Sequence, residues 1–196
     1  MVKQSIFYSI VFLAFLLVGC NSKSAEEQHY ETILNKHRQQ TDIDLLANKI
    51  VDPKNFDGLL YYSPQLNYKI VANVERIVPQ KVEFTTNTER VPVYYKYCKL
   101  SFKVNDTACV LYAYTQSPDD KSGLFIPFKD LSCQLESYAA GRYIEMDGLQ
   151  NKDSIELDFN YAFNPYCHYN STFSCPIVPF ENHLKVHIFA GEKKLH

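Results

Sequence analysis

The chain has 196 residues, of which 21 % are charged, and its formal net charge is −2. Basic residues form no long run, which argues against nucleic acid as a partner, because nucleic-acid-binding surfaces concentrate positive charge. The length and the 46 % hydrophobic content suit one domain with a substantial core rather than two domains.

The first twenty residues have the pattern of a bacterial lipoprotein leader. Lys3 precedes an apolar run, and "LVGC" ends that run at Cys20. The run is shorter than the ~20 apolar residues that a membrane-spanning helix needs. "LVGC" matches the lipobox, in which the cysteine receives lipid after residues 1–19 are removed; an ordinary cleaved signal peptide is the alternative. We therefore predict acyl chains such as palmitate on Cys20, and a lipid-anchored location in the bacterial cell envelope, at the outer membrane on its periplasmic or surface face.

The segment after the leader predicts a tether and one helix. Residues 20–29 are mostly polar and predict a lipidated tether. Four residues within 25–40 have helical spacing and predict one amphipathic helix: Tyr30, Ile33, Leu34 and His37. We expect an N-terminal helix and linker over residues 30–55 and a single β-rich domain over residues 56–196.

Eight short segments of the domain are rich in β-branched and aromatic residues and are separated by turn formers. They are 67–77, 81–86, 93–104, 107–114, 123–128, 141–146, 154–163 and 183–190. Few helical patterns lie between them. The sequence therefore predicts a mainly β fold, α+β at the margin, built as an antiparallel sandwich or barrel with one N-terminal helix.

Cys98 and Cys109 lie on either side of a predicted hairpin. A two-residue turn at residues 105–106 places Cys98 opposite Ala113 and Cys109 opposite Phe102. The two cysteines are then four residues apart along the strands, about 13 Å, which a disulfide cannot span. We predict that both are core thiols.

Cys167 and Cys175 lie in the polar loop "NPYCHYNSTFSCP". Closing this short loop by a disulfide would stabilise the fold by roughly 2.5 kcal/mol, and we predict that bond. Two reduced thiols are one alternative, and a metal site that also uses His168 is the other. The spacing differs from that of zinc modules, so we predict no metal site.

His183 and His187 have the spacing of a helical zinc pair. The apolar residues around them favour a strand, in which four residues span about 13 Å and one metal ion cannot join both imidazoles. We expect them to be surface histidines.

Six short motifs carry a resemblance to a known family: "GRY" (141–143), "DFN" (158–160), "NPYC" (164–167), "SCP" (174–176), "EN" (181–182) and "AGEK" (190–193). Over roughly residues 56–193 the chain resembles the bacterial domain-of-unknown-function family 1684 in its lipoprotein form. The resemblance implies a compact, mostly β lipoprotein domain and supplies no established activity. The family usually has glycine where this chain has Gln134, and often has one where Ala139 and Ala140 precede Gly141. A tight backbone turn is therefore not predicted at those positions.

The polar residues of these motifs are the candidate ligand-binding set. In the predicted strand 154–163, Asp158 and Asn160 emerge on the same side. Arg142 is the predicted ion-pair partner of Asp158, because a guanidinium fits a carboxylate in two-point geometry. The full set is Arg142, Asp158, Asn160, Asn164, His168, Glu181 and Asn182.

Two interpretations of this set compete. In the structural one, Asn160 and Asn164 bind turn backbone, and Glu181 with Asn182 caps the last strand. In the functional one, the set and Tyr166 line a pocket for a polar small molecule. We favour the structural interpretation, because buried polar residues more often hold loops than bind substrates.

No standard catalytic signature is present: there is no GxSxG, HExxH, Walker or GxGxxG motif. The leading hypothesis is therefore a non-catalytic envelope lipoprotein that needs no cofactor. Its partners would be the membrane, through Cys20, and a small polar ligand or an envelope protein, but not nucleic acid. The alternative is an extracytoplasmic small-molecule hydrolase, with Asp158 or His168 as general base and Arg142 as anion anchor.

Overall fold

The structure, a computed structural model, describes residues 23–119, 123–149 and 152–195. The predicted leader over residues 1–19 and the predicted lipidation site at Cys20 lie outside the described residues. Within them, no helix is both long enough and apolar enough to cross a membrane.

In the described part of the chain, one α-helix, α1 (Ala25–Ala47), precedes the sheet. It begins with a capping box, in which Ser24 accepts from the backbone N–H of Glu27 while Glu27 accepts from the backbone N–H of Ser24. The helix therefore begins inside the segment predicted as a tether and continues past the predicted end of the helical pattern. Its buried face carries Leu34, Arg38 and Leu45, so that a charged residue lies between two leucines on the apolar face.

Six antiparallel strands form one sheet: β1 (Lys69–Glu83), β2 (Val93–Val104), β3 (Thr107–Thr115), β4 (Gly123–Phe128), β5 (Arg142–Asp147) and β6 (Ser154–Asp158). Their order across the sheet is β5-β4-β3-β2-β1-β6, and the sheet curls into a half-barrel. Four short 3-10 helices lie outside it: Leu66–Tyr68, Phe159–Tyr161, Tyr166–His168 and Phe180–Asn182. The predicted mainly antiparallel β fold with one N-terminal helix is confirmed.

Four of the predicted strands differ in detail. The first two are one long strand, β1, which has an irregularity in its pairing between Arg76 and Gln80. The strand predicted over 154–163 ends at Asp158, where a 3-10 helix begins. The segment 183–190 is not a strand, because its amides bind loop groups: the N–H of Leu184 binds the carbonyl of Lys129, and that of Ile188 binds the carboxylate of Asp130.

The main hydrophobic core lies on one face of the half-barrel. Alternate residues of β2, β3, β4 and β6 point into it, and the C-terminal segment supplies Leu184, Ile188 and Ala190. Full burial of an aliphatic side chain stabilises a fold by about 1.5–3 kcal/mol. The segment 183–190 thus contributes to the core although it adds no strand to the sheet.

The predicted hairpin register is confirmed. Asn105 and Asp106 have φ of 45° and 64°, as in a two-residue turn, and Cys98 pairs with Ala113 while Cys109 pairs with Phe102. Both cysteines are free and buried, and burial raises the pKa of Cys98 to about 12. They pack as small hydrophobic side chains, as predicted.

Two positions in the loop between β4 and β5 have left-handed backbone. Gly141 has φ of 101°, and a Cβ there would lie 2.6 Å from the carbonyl oxygen of Phe128, so that only glycine fits. Gln134 has φ of 75°. No tight turn is predicted at Gln134, because it stands where the family usually has glycine, but the structure forms one there with a residue that has a side chain.

Candidate functional site

The predicted ion pair between Arg142 and Asp158 is wrong. Arg142 is fully buried, and its Nη2 lies 3.1 Å from Oδ1 of Asp130. The guanidinium also donates to the carbonyls of Ile188, Ala190 and Glu192 and to Oγ of Ser132. Arg142 therefore fixes the C-terminal segment to the loop after β4. This role depends on contacts between residues that are far apart in sequence, so the spacing of residues along the chain could not predict it.

Asp158 and Asn160 hold the end of β6 in place. Asp158 accepts a hydrogen bond of 2.7 Å from the hydroxyl of Tyr30 on α1 and one of 2.9 Å from the backbone N–H of Asn160. The side chain of Asn160 binds both the N–H and the carbonyl of Gln65. The strand ends at Asp158, so these side chains follow turn geometry rather than strand alternation. Asn160 thus binds backbone groups of the protein, and its predicted role in ligand binding stays a prediction.

Glu181 and Asn182 fasten their 3-10 helix to the sheet. Asn182 accepts from the N–H of Tyr112 at 2.8 Å and donates to the carbonyl of Pro127 at 2.6 Å, and so it joins β3 to β4. Glu181 accepts from Tyr114 at 2.7 Å and pairs with Lys96. They do not cap a last strand as predicted, since segment 183–190 is not a strand.

The loop predicted to be closed by a disulfide contains two free cysteines instead. Cys167 and Cys175 are both free, and the backbone N–H of Cys167 lies 3.3 Å from Sγ of Cys175. Asn87 holds the loop by accepting from the N–H of Cys175 at 2.7 Å. The predicted disulfide is therefore corrected: hydrogen bonds fix the loop in this structure.

His168 is also engaged by the protein. Its Nε2 accepts from the N–H of Leu195 at 3.0 Å, and its ring lies 4.3 Å from that of Tyr138. Burial lowers its pKa. His183 and His187 are exposed and contact Phe180 and Phe189, respectively. In the described part of the chain, no group of three or more His, Cys, Asp or Glu is arranged to hold a metal ion.

A cavity of about 220 Å³ lies between α1 and the loops that follow β6, and we call it the helix-barrel cavity. Arg38 and Thr41 line it from the helix, Asn164 and Tyr169 from the loops, and Glu192 from the C-terminal segment. Of the predicted set, only Asn160 and Asn164 line it, together with the predicted neighbour Tyr166. The exposed residues among its lining form the mouth: His37, Asp44, Glu145 and Tyr166.

Arg38 is the deep cation of the helix-barrel cavity. Its side chain donates one hydrogen bond of 3.1 Å, from Nη2 to the carbonyl of Tyr62, and its guanidinium lies 4.3 Å from the centre of the Tyr61 ring. Its Nε is buried and has no hydrogen-bond partner. Burial lowers its pKa. Among the described residues, no carboxylate lies within ion-pair distance of it.

Asn164 and Glu192 form the polar wall of the same cavity. Asn164 donates from Nδ2 to the carbonyl of Lys193 at 2.8 Å, while its buried Oδ1 has no partner. The carboxylate of Glu192 accepts on Oε2 from the N–H of Asn164 at 2.8 Å and from the hydroxyl of Tyr169. Burial raises the pKa of Glu192 to about 7, although these two hydrogen bonds and nearby Arg142 lower it.

Sequence reasoning missed Arg38, Tyr169 and Glu192. One signal was available for Arg38: it follows Leu34 by four residues, so it lies on the apolar face of the predicted helix. Charged residues are rarely buried without a partner. Glu192 lies in the "AGEK" motif, but its role depends on contacts with residues far away in sequence.

The described chain is similar to proteins without an assigned activity. The family described as "Protein of unknown function (DUF1684)" matches residues 54–193. A solution NMR structure of an uncharacterized protein from gene locus rrnAC0354 of Haloarcula marismortui is 34 % identical, with a TM-score of 0.68. That match covers 86 % of this chain and 96 % of the other. No curated protein matches the chain.

Proposed function

This chain belongs to the DUF1684 family of proteins of unknown function, and we propose that its β-rich domain binds a small polar molecule in the helix-barrel cavity. The observation that carries the proposal is that Arg38 and Asn164 line one cavity and each has a buried polar atom without a partner. An unsatisfied buried polar group costs about 1–3 kcal/mol. A ligand that reaches both atoms after a small movement of these side chains would recover that free energy.

A binding module fits the geometry better than the hydrolase considered above. The hydrolase hypothesis requires Arg142, Asp158 and His168 to act together on one substrate. Each of these side chains is bound to protein groups instead, and the described lining of the helix-barrel cavity contains none of the three. The cavity, at about 220 Å³, is suited to a small molecule rather than to a protein segment.

The proposal includes attachment to the cell envelope through lipid on Cys20. Its support is the "LVGC" pattern at the end of the apolar run. With α1 beginning at Ala25, few residues separate Cys20 from the helix. The domain would therefore be held close to the membrane surface, and a small ligand could reach it from the surrounding compartment.

Blocking the cavity tests ligand binding. Thr41 lines the cavity, whereas Thr32 is exposed elsewhere on α1, and each hydroxyl donates to the carbonyl four residues before it. We expect the Asn164 side-chain amide to shift in NMR spectra when the protein receives a low-molecular-weight extract of bacterial cells. Thr41→Phe should weaken this response about tenfold, whereas Thr32→Phe should leave it unchanged. An equal response in both variants, or none in the unmodified protein, would contradict the proposal.

Metabolic labelling tests the anchor. The unmodified full-length chain should incorporate labelled palmitate and remain with the membrane fraction, and Cys20→Ala should do neither. Protease treatment of intact cells then distinguishes the surface face from the periplasmic face. Equal labelling of both proteins would exclude Cys20 as the lipidation site.

A further inference from the structure

No carboxylate lies within ion-pair distance of Arg38 in the described protein. Arg38 is 9 % exposed, and its one hydrogen bond from the side chain goes to a neutral carbonyl. The Tyr61 ring offers a favourable but weak contact. Buried charges in proteins are normally paired, because desolvation of an ion is costly. The group that completes this site is therefore an anion.

The surrounding charges limit that anion to one negative charge. The deep carboxyl of Glu192 faces the same cavity, and the exposed carboxyl groups of Asp44 and Glu145 lie at its mouth. A single guanidinium balances one negative charge, whereas a dianion would add repulsion from these carboxyl groups. The planar guanidinium fits a carboxylate. A monocarboxylate thus matches the cavity better than a phosphate.

Asn164 supplies the second point of recognition. Its Nδ2 donates to the carbonyl of Lys193, which fixes the orientation of the amide, and Oδ1 remains the unpaired acceptor. A ligand satisfies this oxygen only with an O–H or N–H donor. The cavity of about 220 Å³ is smaller than the roughly 300–1,000 Å³ of pockets for drug-sized ligands.

From these contacts we propose that the ligand is a compact monocarboxylate that also carries a hydroxyl or amine donor, with its carboxylate on Arg38 and its donor on Asn164. This inference rests on the proposed function, since it names the chemistry of the ligand of the same cavity. Hydroxy acids and amino acids both have this chemistry.

Four small probes separate the two recognition points. Glycolate has the carboxylate and the hydroxyl, acetate has only the carboxylate, and glycolamide has the hydroxyl without the charge; glycine replaces the hydroxyl by an amine. The Nε–H of Arg38 and the side-chain amide of Asn164 report binding by NMR. We expect glycolate or glycine to shift both signals with a Kd of about 1 mM, acetate to bind more weakly and glycolamide to leave Arg38 unshifted.

Arg38→Met removes the charge but keeps most of the aliphatic stem, and Arg76→Met does the same at an exposed arginine. We expect Arg38→Met to weaken binding of glycolate or glycine at least about tenfold and Arg76→Met to leave it unchanged. Because all four probes are also compared on the unmodified protein, the test does not depend on the folding of a variant.

Two results would overturn the inference. Equal shifts by glycolate and glycolamide would show that charge is not recognised, although the cavity would still bind small molecules. No shift of Arg38 by glycolate or glycine up to about 50 mM, well above the expected Kd, would exclude this ligand class. The cell-extract experiment with Thr41→Phe tests the proposed function separately, so failure of the inference and failure of the function are distinguishable.

Discussion

The regions around Arg142 and Arg38 each bury a guanidinium, but they differ in what surrounds it. Arg142 pairs with Asp130 and donates to three backbone carbonyls and Ser132. Arg38 donates from its side chain to one carbonyl and contacts the face of one ring. Nε has no partner in either arginine, so the two differ in the anion. A buried charge paired with a carboxylate holds a structure together, whereas one without an anion is available to a ligand. The comparison therefore locates the candidate site.

The largest expected effect is at Arg142. Arg142→Met should lower the free energy of unfolding by about 3–5 kcal/mol, because it leaves the carboxylate of Asp130 buried without its ion-pair partner. Urea denaturation measures this loss. The matched control is Arg76→Met, at an exposed arginine. Its free energy of unfolding should stay within about 0.5 kcal/mol of that of the unmodified protein. A loss below about 1 kcal/mol at Arg142 would contradict the proposal that its ion pair with Asp130 stabilises the fold.

Glu192 connects the two regions, because its carbonyl binds Arg142 and its side chain lines the helix-barrel cavity. Burial raises its pKa from 4.5 to about 7, so the folded protein binds the proton more tightly than the unfolded chain. Stability should therefore fall as pH rises from about 4.5 to about 7, by about 3 kcal/mol. Glu192→Gln stays neutral and keeps an oxygen acceptor, so it should lose this part of the pH dependence.

The measurement is urea denaturation at pH 5 and pH 8. Glu192→Gln and the unmodified protein should be similarly stable at pH 5, and the variant should be the more stable of the two at pH 8. Using the difference between the two proteins cancels the contribution of other groups, such as His168. Glu156→Gln, at an exposed glutamate, is the control. If Glu192→Gln is less stable than the unmodified protein at pH 8, the raised pKa of Glu192 is contradicted.

Arg38→Met should have a small effect on stability. It removes one hydrogen bond to Tyr62 but leaves no carboxylate unpaired, so the free energy of unfolding should change by no more than about 1 kcal/mol. This outcome, beside the large loss for Arg142→Met, would show that the fold depends on the charge of Arg142 but not on that of Arg38. A loss of about 3 kcal/mol or more would show that Arg38 stabilises the fold. The main reason to regard the helix-barrel cavity as a ligand site would then be removed.

The smallest effect concerns the loop that presents Asp130 to Arg142. Gln134 adopts left-handed backbone with φ of 75°, which costs a residue with a side chain about 1–2 kcal/mol relative to its preferred conformation. Gln134→Gly should remove this strain from the folded protein, although glycine also has more conformational freedom in the unfolded chain, which offsets part of the gain. The net result should be a free energy of unfolding that is higher by about 0.5–1 kcal/mol. Destabilisation in thermal unfolding would indicate that the side chain makes a contact worth more than the strain.

The local sequence pattern was sufficient to predict the central strands of the sheet. Alternation of apolar residues and a two-residue turn at 105–106 predicted β2 and β3, their register and the burial of Cys98 and Cys109. Neighbouring strands that share a short turn are paired by local geometry alone. The same reasoning failed for 183–190, whose alternation matches a strand but whose amides bind the 129–131 loop and Asp130.

The partners of buried charges were decided by tertiary structure. Spacing between near neighbours was enough to predict a mainly β domain, one N-terminal helix and two core thiols. The pairing of Arg142 with Asp130 and the meeting of Arg38 with Asn164 and Glu192 depend on loops that bring distant residues together. A side chain's free energy of burial is set by the groups around it in space, and only the folded chain assembles those groups.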